Sequence, residues 1–231
     1  MSKTVSWRGH DIPVPPLDPS EVFYRQEFFR IAFSYLQFNE IDGDYAEFGC
    51  ASAKTFRLAW NQILGRNRKC KLWAFDSFAG LPEQLDERDY HPKWTLGNYP
   101  TAEDLFHLIV RDHGIPISEY TTVSGFYRDS IGPSSPAPSD LCPNIALAYI
   151  DCDLYSSTSD VFHFLSSRLK HGMIIAFDDY FCYSSSNISG ERLGMLHFLK
   201  DHPRWTFVPF VTFDWHGQSF IVEDSAKFSK A

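Results

Sequence analysis

The chain has 231 residues, 44% of them hydrophobic and 22% charged, which excludes a collagen, a coiled coil or a disordered chain and fits one large α/β unit. Acidic residues outnumber basic ones by 29 to 21, for a formal charge of −8, which speaks against nucleic acid or an anionic membrane surface as partner. No apolar run approaches the roughly 20 residues of a membrane span, the start MSKTVSWRGHD has no signal-peptide core, and five scattered cysteines without a CxxC pair suit reduced thiols in a cytoplasmic protein.

The first local signal is Asp18-Pro19-Ser20-Glu21, which predicts a helix with Asp18 as cap, Pro19 in the first turn and Glu21 at the capping-box position. The helix carries Val22, Phe23, Phe28, Phe29, Ala32, Phe33, Leu36 and Phe38, a wider apolar surface than docking on one core requires. It either packs on two sides within the monomer or contributes to a homodimer. Residues 1–43 are therefore set apart as a helical extension, a lid or dimer contact, and 44–231 as the main domain.

From Asp44 onward strand and helix patterns alternate. Residues 45–48, 71–75, 120–123, 145–150 and 173–177 read as strands, the last two apolar throughout, as strands covered on both faces are. Between them, helical spacing recurs at Phe56, Ala59, Trp60, Ile63 and Leu64, then at Leu105, Leu108 and Ile109, then at Val161, Phe164, Leu165 and Leu169. Leu193, Leu196 and Leu199 mark a last helix, and 205–213 with 219–222 predict a closing antiparallel hairpin. Repeated βα units imply a mostly parallel, doubly wound sheet that binds ligands beyond the carboxyl ends of its strands. The stretch GPSSPAPS at 132–139 reads as a surface loop. The long segment 82–100, with Tyr90, His91, Trp94 and Tyr99, reads either as a substrate wall or lid or as a plain excursion.

Glu47, Asp76, Asp151, Asp153, Asp178 and Asp179 all fall at or just past strand ends. Glu47-Phe48-Gly49 closes the first strand with a residue that lets backbone approach a ligand, and the next helix presents its N-terminus. Asp76, ending the second strand, suits the two hydroxyls of a ribose, or else a turn or helix cap. Asp151-Cys152-Asp153 and Asp178-Asp179 end two successive buried strands. If those strands are neighbours, their carboxylates converge, and such a cluster needs a cation to stay ionised; oxygen ligands suit Mg²⁺. Asp153 and Asp179 suit helix caps equally well. Cys152 has no basic neighbour in sequence and reads as a buried strand-end residue. The histidines, His216 among them, fall outside these strand ends and read as surface or packing residues.

AEFGCASAKT, FDSFAGLP, VSGFYRDS, IALAYIDCDLYSST and MIIAFDDY follow one another in that order. This arrangement resembles the macrocin O-methyltransferase (TylF-type) family of S-adenosylmethionine- and Mg²⁺-dependent enzymes that methylate sugar hydroxyls, over roughly residues 44–199. The resemblance implies a Rossmann-like class I methyltransferase fold. It further implies a cofactor site of Glu47, Gly49, Thr55, Asp76, Ser77, Gly125, Phe126 and Asp151, and a metal held by Asp151, Asp178 and Asp179. Asp151 would be the base for the substrate hydroxyl, which on a sugar or other vicinal diol of a natural product or glycan would chelate the ion. One position departs from the pattern: four residues after Gly49, where the family usually has glycine, stands Ala53. Two other readings remain at this stage. A DxD glycosyltransferase would use Asp151 and Asp153 on a metal–nucleotide-sugar but leave Asp76 and the FDDY pair without a role. A non-catalytic scaffold would bind a partner through the aromatic N-terminal helix, but has no need to concentrate repelling charge.

Overall fold

A computed structural model describes residues 3–84, 86–135 and 138–228; residues 1–2, 85 and 136–137, which fall in segments discussed above, lie outside the described residues, as do 229–231. A short antiparallel hairpin comes first, β1 (Thr4–Trp7) and β2 (His10–Pro13). Helix α1 (Pro19–Phe38) follows. The Asp18 carboxylate accepts from the Ser20 backbone N–H at 2.8 Å, so the predicted cap forms. Glu21 does not close a capping box but reaches Lys54 of the next helix at 3.3 Å, a cation that its own helix start does not offer.

The main sheet comprises β3 (Asp44–Phe48), β4 (Leu72–Asp76), β5 (Tyr120–Ser124), β6 (Ile145–Ile150), β7 (Ile174–Phe177), β8 (Trp205–Phe213) and β9 (Gly217–Asp224). Its order is β5-β4-β3-β6-β7-β9-β8. The first five strands are parallel, and β9 runs antiparallel between β7 and β8. Helices α2 (Lys54–Gly65), α3 (Glu103–Asp112), α5 (Tyr155–Ser166) and α6 (Gly190–Asp201) connect them, with a one-turn helix α4 (Tyr127–Ser130) after β5. This is a Rossmann-like, doubly wound and mostly parallel architecture, with the C-terminal antiparallel hairpin that the pattern predicted.

Strand side chains alternate between two cores, as the two-residue strand period requires. Tyr45, Leu147, Tyr149, Ile174 and Ala176 face α1, α2 and α3, where Phe28, Phe29, Phe33, Phe56 and Phe106 are fully buried. Ala46, Phe48, Ala148, Ile150, Ile175 and Phe177 face α5 and α6, with Val161, Phe162, Leu165, Met195 and Phe198. Helix α1 shares the first core. Phe28 stacks on Phe213 at 4.6 Å and Phe29 on Tyr149 at 5.3 Å between ring centroids. Its apolar excess divides into this buried row and an outer set, Phe23, Tyr24 and Phe38, that stays exposed. Among the described residues no helix is long and apolar enough to cross a membrane, and all five cysteines are free.

Candidate active site

The parallel ladder runs one residue past the strands on their carboxyl side. Gly125 N donates to Asp76 O, Gly49 N to Phe75 O, Asp151 N to Phe48 O and Asp178 N to Ile150 O, at 2.8–3.0 Å. Adjacent strands lie about 4.8 Å apart, so four chain segments distant in sequence deliver their turn residues to one row. At Gly49 the chain has φ +93, and a Cβ there would lie 1.8 Å from Asp151 O. The glycine turn and the first acidic turn therefore touch through backbone alone.

Above this row lies a cavity of about 850 Å³, within the range of about 300–1,000 Å³ usual for small-molecule sites. Gly49, Thr55, Asp76, Ser77, Phe126, Asp151, Asp178 and Asp179 line it, and so does Asp153. Glu47 lies behind this surface, fully buried, accepting from the Thr55 hydroxyl at 2.6 Å and from the Tyr45 hydroxyl. Gly125 turns the chain so that Phe126 and Tyr127 reach the lining. Asp76 acts as the turn residue of its alternative reading while facing the cavity. One oxygen accepts from Cys50 N at 2.6 Å and Ala51 N at 3.0 Å, the other from Phe78 N at 2.7 Å. Ala53 starts α2 in the left-handed region at φ +59, which explains why glycine suits the position. Its methyl is fully buried in the core, while Ala51, Ser52 and Lys54 line the cavity. The segment 82–100 supplies Glu83, Asp86, Asp89, Trp94, Asn98 and Tyr99 to the lining, so it is a wall.

Strands β6 and β7 are neighbours, pairing Ile150 with Phe177, and their acids converge. Ligand atoms of Asp151, Asp179 and Glu191 lie within 4.8 Å of one another, as do those of Asp178, Asp179 and His216. Asp179 joins the two groups; among the described residues none of these groups holds both Asp151 and Asp178. Burial pushes the Asp151 carboxyl well above the usual carboxylate range, and the charges of Asp178, Asp179, Asp153 and Glu191 push it further. Burial and Asp179 do the same to Asp153. Such a donor set, oxygen-rich and crowded with like charge, fits a hard divalent cation.

Three residues of this site escape the sequence reading. Arg25 of α1 grips Asp178 with two bonds, Nε to Oδ1 at 2.8 Å and Nη2 to Oδ2 at 2.6 Å. Burial disfavours its charge, but the bonds and charge of Asp178 outweigh that and hold the guanidinium protonated. Its signal was a lone cation three residues from both Val22 and Phe28 on the buried face. His216, at the β8–β9 turn, donates from Nδ1 to Asp178 O and lines the cavity. The expectation that no histidine reaches the acidic crevice is corrected: β9 inserts beside β7 and carries the hairpin end back to it. Glu191 of α6 accepts from backbone N–H groups of both acidic turns; nothing in the sequence around it marks it out.

Glu47 yields a pH prediction. Burial pushes its carboxyl up to about 8, against the Thr55 and Tyr45 hydrogen bonds that lower it. Between about pH 4.5 and 8 the folded state keeps a proton that the unfolded chain has lost, so this group's stability contribution falls as pH rises through that window. Glu47→Gln has no such proton to lose. Relative to wild type, it is expected to gain about 2–3 kcal/mol between about pH 5.5 and pH 8, read by urea unfolding of both proteins at the two values. A constant difference between them would refute the assignment.

Comparison with known proteins bears on what this cavity does. A model of the family described as macrocin-O-methyltransferase (TylF) matches residues 11–199. Among solved structures, the O-methyltransferase NovP is similar at a TM-score of 0.69 and 20% identity, over 86% of this chain and 79% of that one. Calicheamicin methyltransferase CalS11 is similar at 0.65 and 19%, over 87% and 79%. O-methyltransferase TomG from Streptomyces achromogenes follows the same fold at 0.53 and 9%, over 91% and 90%. No curated protein sequence matches. The family match covers most of the chain and excludes the glycosyltransferase alternative: the protein belongs to the macrocin-O-methyltransferase (TylF) family and is an S-adenosylmethionine-dependent O-methyltransferase.

Proposed function

We propose that this enzyme methylates one hydroxyl of a vicinal diol on a sugar, in a small natural product or glycan, with Mg²⁺ at the acidic turns and Asp151 as base. The observation that carries this reading is that Asp151, Asp178 and Asp179, from adjacent strand ends, line one cavity that also reaches Gly49 and Asp76, with Asp179 in ligand reach of each of the other two. A neighbour in fold is described as a TDP-rhamnose 3'-O-methyltransferase, which supports a sugar acceptor.

When bound, S-adenosylmethionine supplies an electrophilic methyl group and the divalent ion supplies Lewis acidity toward the acceptor hydroxyl. In this reading Gly49, Thr55, Asp76, Ser77, Gly125, Phe126 and Asp151 hold the cofactor, with Glu47 supporting Thr55 from behind. Asp151, Asp178 and Asp179 hold the ion. Asp178 keeps one lone pair for it on Oδ2, since Oδ1 accepts from both Arg25 and the Tyr149 hydroxyl. Asp151 accepts the hydroxyl proton, as a carboxylate that lines the cavity at the end of β6. Trp94, Tyr99, Phe126 and Trp215 give the lining an aromatic surface against which a sugar ring can pack. Residues 1–43 serve this domain as a wall, through Glu21, Val22 and Arg25.

The test is methyl transfer from S-adenosylmethionine to a panel of glycosides bearing neighbouring hydroxyls. Activity is expected to disappear in EDTA and to return with Mg²⁺; undiminished turnover in EDTA rejects the metal mechanism. S-adenosylhomocysteine should raise the melting temperature, and UDP-sugars should not.

A further inference from the structure

The two acidic turns must be held at a fixed separation if their carboxylates are to act together. Glu191, in the first turn of α6, is fully buried. Its Oε1 accepts from the backbone N–H groups of Cys152 at 3.0 Å and Asp153 at 3.3 Å, beside Asp151. Its Oε2 accepts from the backbone N–H of Asp179 at 2.9 Å. One carboxylate therefore spans the ends of β6 and β7. The residue before it makes this reach possible. Gly190 has φ +58, and a Cβ there would lie 2.7 Å from Asp153 O, so α6 starts in contact with the β6 turn only because no side chain intervenes.

We propose that Glu191 is a positioning residue, a clamp that sets the separation of Asp151 and Asp179 and thereby the geometry of the metal site; the metal part rests on the proposed function. Its carboxylate has about four lone-pair sites, and backbone amides take three of them. That occupancy distinguishes it from Asp151 and Asp179, whose oxygens lie within 4.8 Å of its own but serve as ligands in the proposal.

The test is Glu191→Gln, which keeps shape but replaces one acceptor oxygen with an N–H₂ group facing a backbone N–H. Two measurements are made on the full chain: amide hydrogen exchange in EDTA, and Mn²⁺ affinity by electron paramagnetic resonance. Exchange at Asp179, or at Cys152 and Asp153, is expected to accelerate about tenfold or more while amides inside β6 and β7 change less than about twofold. Mn²⁺ affinity is expected to fall about 10–100-fold, the usual effect of losing a group that orients metal ligands, while S-adenosylhomocysteine affinity stays within about threefold. A loss of Mn²⁺ affinity with unchanged exchange makes Glu191 a ligand and overturns the clamp; no change in either measurement overturns it as well. If the wild-type protein binds no Mn²⁺, the metal part of the proposed function fails, and exchange alone decides the clamp. Should Glu191→Gln not fold, Glu191→Asp, one methylene too short to span both turns, is expected to show the same exchange pattern.

Discussion

Gly49→Ala is expected to cost about 3–5 kcal/mol and to abolish methyl transfer. Two penalties combine. The backbone is at φ +93, where an L side chain costs about 1–2 kcal/mol, and the new methyl would fall 1.8 Å from Asp151 O and 2.7 Å from its carbonyl carbon. Neither obstacle is a flexible side-chain end. Relief requires β3 and β6 to separate at their carboxyl ends, which breaks the Asp151 N to Phe48 O bond and displaces the proposed base. At about 2–4 °C per kcal/mol for a chain of this size, the melting temperature should drop by roughly 10 °C or more. Gly9→Ala is the control: Gly9 has a similar φ of +80 but nothing within 4 Å of an added Cβ, so it is expected to lose only the backbone cost of about 1–2 kcal/mol. Equal losses for the two variants would show that the Gly49–Asp151 contact is not limiting.

Asp151→Asn is expected to move activity and stability in opposite directions. As the proposed base it should lose about 10³-fold in kcat, within the 10²–10⁴ that a general base contributes. Its affinity for S-adenosylhomocysteine should change less than about tenfold, the worth of about 1.4 kcal/mol. In EDTA the same substitution should stabilise the fold, because asparagine never carries the charge that burial and four neighbouring acids disfavour. The sign follows from proton binding. With its folded-state proton affinity raised, Asp151 costs stability increasingly as pH rises above the ordinary carboxylate value, and asparagine has no such cost. The melting-temperature gap in EDTA should therefore widen from about pH 5 to about pH 8. Full activity in Asp151→Asn would remove it from the mechanism, and a lower melting temperature would show that its charge is already compensated. A residue that opposes folding and serves turnover is the expected signature of function.

The strands were legible because each carries a local pattern. Residues 145–150 are apolar without a break, and the structure buries every one of them, three in the core under α1 and three in the core under α5. The acids after them were legible because, in a parallel sheet, being last in a strand already specifies the edge that faces a ligand. The hairpin β1–β2 was not predicted: four-residue strands with exposed faces offer little periodicity to read. Nor was the short helix α4, a single turn with no buried residue.

By itself, then, the sequence determined the order of βα units, the strand ends that carry acids, the Gly49 turn and the family. Each of these is written in contiguous residues. Only the tertiary structure decided that Arg25, 153 residues from Asp178, neutralises it. The same holds for Glu191, joining two turns 38 and 12 residues away, and for His216, returned to Asp178 by β9 inserting beside β7. These contacts follow from the strand order and from the docking of α1 on the sheet, and the spacing of residues along the chain holds no record of either.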